Sequence, residues 1–191
     1  MYYDSSIIHL PNGLVSGAYF DDRVGLSILV NIAEQLHKTH SNKDIYLVAS
    51  NHEEIGMRGA IVAANTIKPN YCIAIDVTHA TDYPTMNPIA NGDIQLNKGC
   101  VLTKSPNIDE ELFVQLRQCA VNNQISYQIE ATPYPTGTDA NPIQIINEGV
   151  RTAVISIPCR YMHTPQEIVA EGDIQTAVKL LSLFLQTKFI H

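Results

Sequence analysis

LVASNHEEIGMRGA, residues 47–60, joins three kinds of chain in fourteen residues. An apolar run stops, two adjacent carboxylates follow (Glu53 and Glu54), and a glycine-containing helix start comes next. Strand, turn and helix in that order form the repeating unit of an α/β fold. Two like charges at the end of a buried strand are costly unless a cation sits there or one of them holds a proton.

The pattern continues outward on both sides. DIYLVAS (44–50) reads as a buried strand, and MRGAIVAANTI reads as a helix ending before Pro69. YCIAIDVT (71–78) and RTAVISIP (151–158) are two more apolar strands, and SYQIEA (126–131) alternates as a strand does. Upstream, Val24, Ile28, Leu29, Ile32, Ala33 and Leu36 have helical spacing, with Asp22 at the start as the helix dipole prefers. IDEELFVQLRQCAVNN (108–123), TDANPIQIINEG (138–149) and EGDIQTAVKLLSLFLQTK (171–188) read as further helices, and 80–107 as loops with short strands. Strands alternating with helices predict a three-layer α/β sandwich around a mixed, mainly parallel sheet. No repeat or linker divides the chain, so residues 1–191 read as a single domain.

Composition narrows the function. The 191 residues carry a net charge of −7 with no basic run, which argues against a nucleic-acid partner. No apolar run approaches the roughly 18–20 residues of a membrane span. The N-terminus lacks a basic region followed by an apolar core, so a cytoplasmic location is expected. Cys72, Cys100, Cys119 and Cys159 are irregularly spaced and read as reduced thiols.

In an α/β sheet, ligands gather beyond the carboxyl ends of the strands. Polar groups fall there four times: Asp21 and Asp22 after LVSGAYF, Glu53 and Glu54 after IYLVAS, Asp76 near the end of YCIAIDVT with His79 beyond, and His163 after VISIPCRYM. Taken singly, each has an ordinary reading as a helix cap, a turn residue or a satisfied histidine. Taken together, they supply the oxygen and nitrogen ligands of a zinc-like ion, and a carboxylate between two ions would suit a two-metal hydrolytic site. His52 and His79 are balanced between supporting groups and plain strand-end polars, while His9, His37, His40 and His191 read as surface residues. HEEIG begins like HExxH, but Gly56 stands at the second histidine position.

Five stretches, AYFDDRVG, NHEEIGMRGA, AIDVTHATDYP, PTGTDANPI and VISIPCRYMHTPQEIV, carry a resemblance. In that order they resemble the dinuclear metal aminopeptidases of the glutamyl, deblocking and tetrahedral type, some of which bear the label endoglucanase or cellulase. The resemblance runs from about Gly17 to the end of the chain. It implies a zinc-exopeptidase-like fold and two divalent metal ions, zinc or cobalt, in the complete enzyme. Asp21 resembles the carboxylate bridging the two ions. Glu54 and His163 resemble terminal ligands of one ion, and Asp76 a terminal ligand of the other. Glu53 resembles the general base that takes a proton from the attacking water. Thr138 and Asp139 match a loop beside the substrate, and His79 matches a histidine that is not a ligand. The Asp21–Asp22 peptide is expected to be cis.

One ligand of the family pattern is missing. The family has a further histidine in an HxD motif, and this sequence has no HxD. The family's N-terminal part of the catalytic sheet and its inserted dimerisation domain have no counterpart before DDRVG either. The chain therefore reads as a partial catalytic peptidase domain. It is expected to hold one ion or none unless another subunit or fragment supplies the histidine, and to associate through an uncovered sheet edge. The implied partners are a peptide substrate and further copies of the chain. Two other functions stay open: an endoglucanase-type glycoside hydrolase, weakened by the absence of tryptophan, and an inactive scaffold fragment.

Overall fold

A computed structural model of the chain describes residues 6–38 and 43–187. His40 and His191 lie outside them. The described elements are β1 (Ile8–Leu10), β2 (Leu14–Gly17), α1 (Phe20–Leu36), α2 (Arg58–Ile67), β3 (Tyr71–His79), α3 (Pro88–Asn91), β4 (Cys100–Lys104), α4 (Glu110–Asn122), β5 (Tyr127–Ala131), α5 (Ala140–Ile143), β6 (Arg151–Cys159), β7 (Glu167–Ala170) and α6 (Glu171–Phe184).

The fold is the mixed α/β sandwich that the alternation implied. Its main sheet runs β3-β6-β4-β5, with β3 parallel to β6, β4 parallel to β5, and β4 antiparallel to β6. A smaller antiparallel sheet runs β1-β2-β7. The two-residue period of a strand sorts side chains onto two faces. Ala153, Ile155 and Ile157 of β6 join the core built with Ile28 and Ile32 of α1, Leu112 and Leu116 of α4, and Leu180 and Phe184 of α6. Val154 faces the other way, toward Ala140 of α5, on the face where α2 packs against Ile143 and Ile146. Asp76 shares the parity of Cys72 and Ala74, so it belongs to that second face.

Helix ends follow from local chemistry. Asp109 caps α4 by accepting the N–H of Leu112 at 2.8 Å, and its carboxylate is gripped by the Arg151 guanidinium at 2.8 and 2.9 Å. That grip ties the start of α4 to the start of β6. α2 stops at Lys68, whose φ of 54° is left-handed, just before Pro69. No helix among the described residues is long and apolar enough to cross a membrane.

Two expectations fail. The 44–50 run is not a strand: it pairs with nothing in either sheet, and Tyr46, Leu47 and Val48 are 62, 38 and 40% exposed. A strand needs a hydrogen-bonded neighbour. Here a cleft of about 840 Å³ lies between this run and the open edge of β3, with apolar side chains of α1 and α2 on its other walls. The helix over 138–149 is likewise only the single turn of α5. Beyond it, Ile145, Ile146 and Gly149 bond three residues back, and the left-handed Asn147 and Gly149 close the segment as successive turns.

Candidate active site

Parallel pairing places the site. Because β3 and β6 run side by side in register from Tyr71↔Arg151 to His79↔Cys159, Asp76, His79 and the loop after β6 emerge at one end of the sheet. His163 lies in that loop. The start of α1 brings in Asp21 and Asp22, and the turn before α2 brings in Glu53 and Glu54.

Each segment is bent into place locally. The Asp21–Asp22 peptide is cis. Regular helix begins after Asp22, whose carboxylate accepts the Gly25 N–H at 2.8 Å. A Cβ on Gly25 would collide with that carboxylate, which is why a glycine stands there. The turn carrying the two glutamates is closed by the Glu53 carbonyl, which accepts N–H bonds from Gly56 and Met57. A Cβ on Gly59 would strike the backbone of Asn51, so this glycine lets the turn fold tightly onto the helix start. The 136–139 loop is held by Asn107, which exchanges two hydrogen bonds with Thr136, and Thr136 in turn touches the Thr138 hydroxyl at 3.2 Å.

The structure gathers these residues unequally. His163 Nε2 lies 2.9 Å from Asp21 Oδ2 and 3.7 Å from Glu54 Oε2. Ligand atoms of Asp21, Glu54 and His163 all fall within 4.8 Å of one another, the one such trio among the described residues. Asp76 is outside that trio, and its nearby charges are the carboxylates of Asp21, Glu53 and Asp139. Asp139 accepts the Ser50 hydroxyl at 2.5 Å on one oxygen, while its other oxygen is buried without a partner. Thr138 stays with its loop and reaches no ligand. His79 sets its ring edge-on to His163, centroids 6.3 Å apart.

The electrostatics are those of crowded, partly buried acids. Burial, then the charge of Glu54, pushes Asp21 up to about 6. Burial, then Asp76, pushes Asp22 up to about 8. Burial raises Asp76 to about 7, with Asp21, Glu53 and Asp139 adding to it. Glu53 rises to about 7 through burial first, then Asp139 and Glu54. His79 goes down, through burial and the neighbouring His163.

The donor set fits a divalent cation. An imidazole with two carboxylates is a workable three-ligand set for an ion of the zinc type. Asp139 has a buried oxygen without a partner among the described residues, and five acids are raised chiefly by burial and, in all but Asp139, also by neighbouring carboxylates, a setting that a cation would relieve.

Sequence reasoning missed three supporting groups. Glu167 is buried beneath Asp21 and His163, Ser50 holds Asp139, and Arg160 fixes Asp82 through bonds of 2.7 and 2.8 Å next to the His163 loop. Ser50 and Arg160 act through partners far along the chain, and Glu167 joins His163, four residues before it, to the distant Phe20 and Asp21.

Comparison with known proteins shows the family and the fold. The family model of M42 glutamyl aminopeptidase matches residues 1–180. The lysyl aminopeptidase of Pyrococcus furiosus is 44% identical over 170 residues, covering 88% of this chain and 47% of the relative. The solved aminopeptidase of Desulfurococcus kamchatkensis superposes with a TM-score of 0.88 at 32% identity, over 96% of this chain and 52% of the other. The TET1 peptidase of Pyrococcus horikoshii, described as assembling into a tetrahedron or a large octahedral shell, gives 0.83 at 26% identity over 97% and 54%. The chain spans about half the length of the relatives it matches.

Proposed function

Since this chain belongs to the M42 glutamyl aminopeptidase family, we propose that residues 1–191 form one partial catalytic domain of a metal-dependent aminopeptidase. The observation that carries this reading is the meeting of Asp21, Glu54 and His163 within 4.8 Å, with Glu53 on the same turn as Glu54. Asp21, Glu54 and His163 would hold one ion. Asp76, sharing Asp21, would hold a second. Zinc or cobalt suits the donors. When bound, the ions supply Lewis acidity toward a peptide carbonyl and acidify water.

Glu53 supplies the proton chemistry. It shares the site without belonging to the ligand trio, and its elevated pKa suits a group that both accepts and gives a proton near neutrality. It takes a proton from the attacking water as the C–O bond forms, and returns one to the leaving nitrogen as the C–N bond breaks. Asp139 lines the same cleft as Glu53, and with Thr138 of its loop it would contact the peptide.

The two adjacent glutamates thus take different roles. Glu54 is offset by a cation, and Glu53 is a proton carrier. A glycoside hydrolase would use two acids flanking a sugar, and no feature of the site favours that over the cation trio. We further infer a cytoplasmic, homo-oligomeric protein. Association is supported by the open β3 edge and the apolar 44–50 wall.

Among the described residues there is one three-ligand group, and the charges acting on Asp76 are carboxylates. The chain alone is expected to keep one tight ion after dialysis and to show little turnover of aminoacyl anilides in added zinc or cobalt. Two retained ions with robust turnover would overturn the partial-site reading. Release of reducing sugar without amine release would overturn the peptidase reading.

A further inference from the structure

Glu167 opens β7, and the pairing of β7 with β2 fixes its backbone opposite Gly17. Its side chain is only 2% exposed. One carboxylate oxygen, Oε2, accepts the N–H of Phe20 at 2.6 Å and of Asp21 at 3.1 Å. The other, Oε1, accepts the N–H of His163 at 3.1 Å. A single buried group therefore grips the two segments that bring Asp21 and His163 to one point.

Those segments need holding. Tyr19 and His163 have φ of 64° and 63°, a left-handed conformation that residues with a Cβ adopt only where their surroundings impose it. Carboxylate bonds to backbone N–H groups are charge-assisted and short, so they are well suited to impose it. With both oxygens occupied by N–H donors, Glu167 is turned to the backbone of the site rather than to the cation position.

We propose that Glu167 is a positioning residue of the cation site: it clamps the backbones of Asp21 and His163 so that their side chains present a preformed pair of ligands. The proposal rests on the reading of Asp21, Glu54 and His163 as cation ligands. Asp173 provides an internal control. It is 1% exposed, and its carboxylate likewise accepts two backbone N–H groups, from Asn97 at 2.8 Å and Gly99 at 2.7 Å, but those belong to a loop that carries no ligand.

The test is a Co²⁺ titration of the full chain followed by visible absorption, for the unmodified protein, Glu167→Gln, Glu167→Ala and Asp173→Asn. Groups that orient ligands are worth about 10- to 100-fold in metal affinity. Glu167→Gln should weaken Co²⁺ binding at least about 10-fold and alter the d–d bands, with Glu167→Ala further along the same line. Asp173→Asn should leave affinity and bands unchanged, even where it lowers the melting temperature as much. A folded Glu167→Gln that binds like the unmodified chain, or an equal loss in Asp173→Asn, overturns the proposal. If neither Glu167 variant folds, amide exchange of the unmodified metal-free protein decides. The N–H groups of Phe20, Asp21 and His163 should be protected, and exchange at unprotected rates overturns the clamp. Failure of the unmodified chain to bind Co²⁺ overturns the cation-site reading instead.

Discussion

The two sides of the acidic cleft both gather partly buried carboxylates but do not end up in the same condition. On one side Asp21, Glu54 and His163 converge within 4.8 Å, and the imidazole offsets part of the carboxylate charge. On the other, the charges acting on Asp76 are further carboxylates, and burial with these charges raises it to about 7, while Asp22 beside it reaches about 8. The first side is closed by β6, which is buried along nearly its whole length, and by the loop that follows it. The second stands at the end of β3, whose outer edge borders the open cleft. The lesson is that a strand-end carboxylate joins a three-ligand group only where a histidine-bearing loop reaches it, as the loop after β6 reaches Asp21 and Glu54.

The largest expected effect separates chemistry from binding. Where the completed site turns over, Glu53→Gln should lower kcat at least about 100-fold, the usual scale for a general base, while Co²⁺ affinity stays close to that of the parent. Near-normal turnover would remove Glu53 from its role, and a large loss of metal would make it a ligand.

Next in size is the contrast between the two sides. His163→Ala removes the only imidazole of the trio and should weaken the single tight ion on the order of 100-fold, since two carboxylates make a poor and unselective zinc site. Asp76→Asn should leave that ion nearly unchanged in the chain alone. Isothermal titration of the two variants breaks the comparison if their losses are equal.

A third, smaller effect concerns pH. Asp21, Asp22, Glu53 and Asp76 have pKa values of about 6, 8, 7 and 7 in the fold, all above the ordinary carboxylate range. A raised carboxylate means that the folded state binds more protons than the unfolded chain between the two values. Its neutral form is tolerated below the unfolded pKa, and stability is lost as pH rises through the folded one. The metal-free protein should therefore melt at progressively lower temperature from about pH 4 to pH 8. Added zinc should reverse the trend, because a cation supplies the missing counter-charge. A metal-free melting temperature that climbs over that range would show that the acids are not crowded as described.

Much of this arrangement could be read from the sequence, and the exceptions share one cause. RTAVISIP and YCIAIDVT became β6 and β3, with Asp76 near the end of its strand as expected. DIYLVAS has the same apolar pattern and did not become a strand. Pattern records what a segment can bury, not whether a partner edge is within reach. TDANPIQIINEG failed differently: Pro142 removes a donor, and Asn147 and Gly149 turn the chain, so local bonds won over helical spacing. Within the site, Glu53 and Glu54 announced themselves as an unpaired charge couple. Glu167 did not, because a lone acid in HTPQEI becomes a clamp when its bond to nearby His163 is joined by bonds to residues 146 and 147 positions away.

The smallest expected effect tests how the open side governs the base. Among the charges acting on Glu53, Asp139 is the largest that raises it, after burial itself. Asp139 is itself raised, held by Ser50 on one oxygen and unpartnered on the other. Asp139→Asn removes that charge but keeps the shape and an acceptor for the Ser50 hydroxyl. The Glu53 carboxyl, followed by ¹³C NMR in the metal-free protein, should then titrate below about 7 yet remain above its ordinary range, because the burial that dominates its shift is untouched. A return to the ordinary value would make repulsion, rather than burial, the leading cause. No movement would place Asp139 too far from Glu53 to act, and the pocket beside the base would have to be redrawn around Glu54 and Asp21 alone.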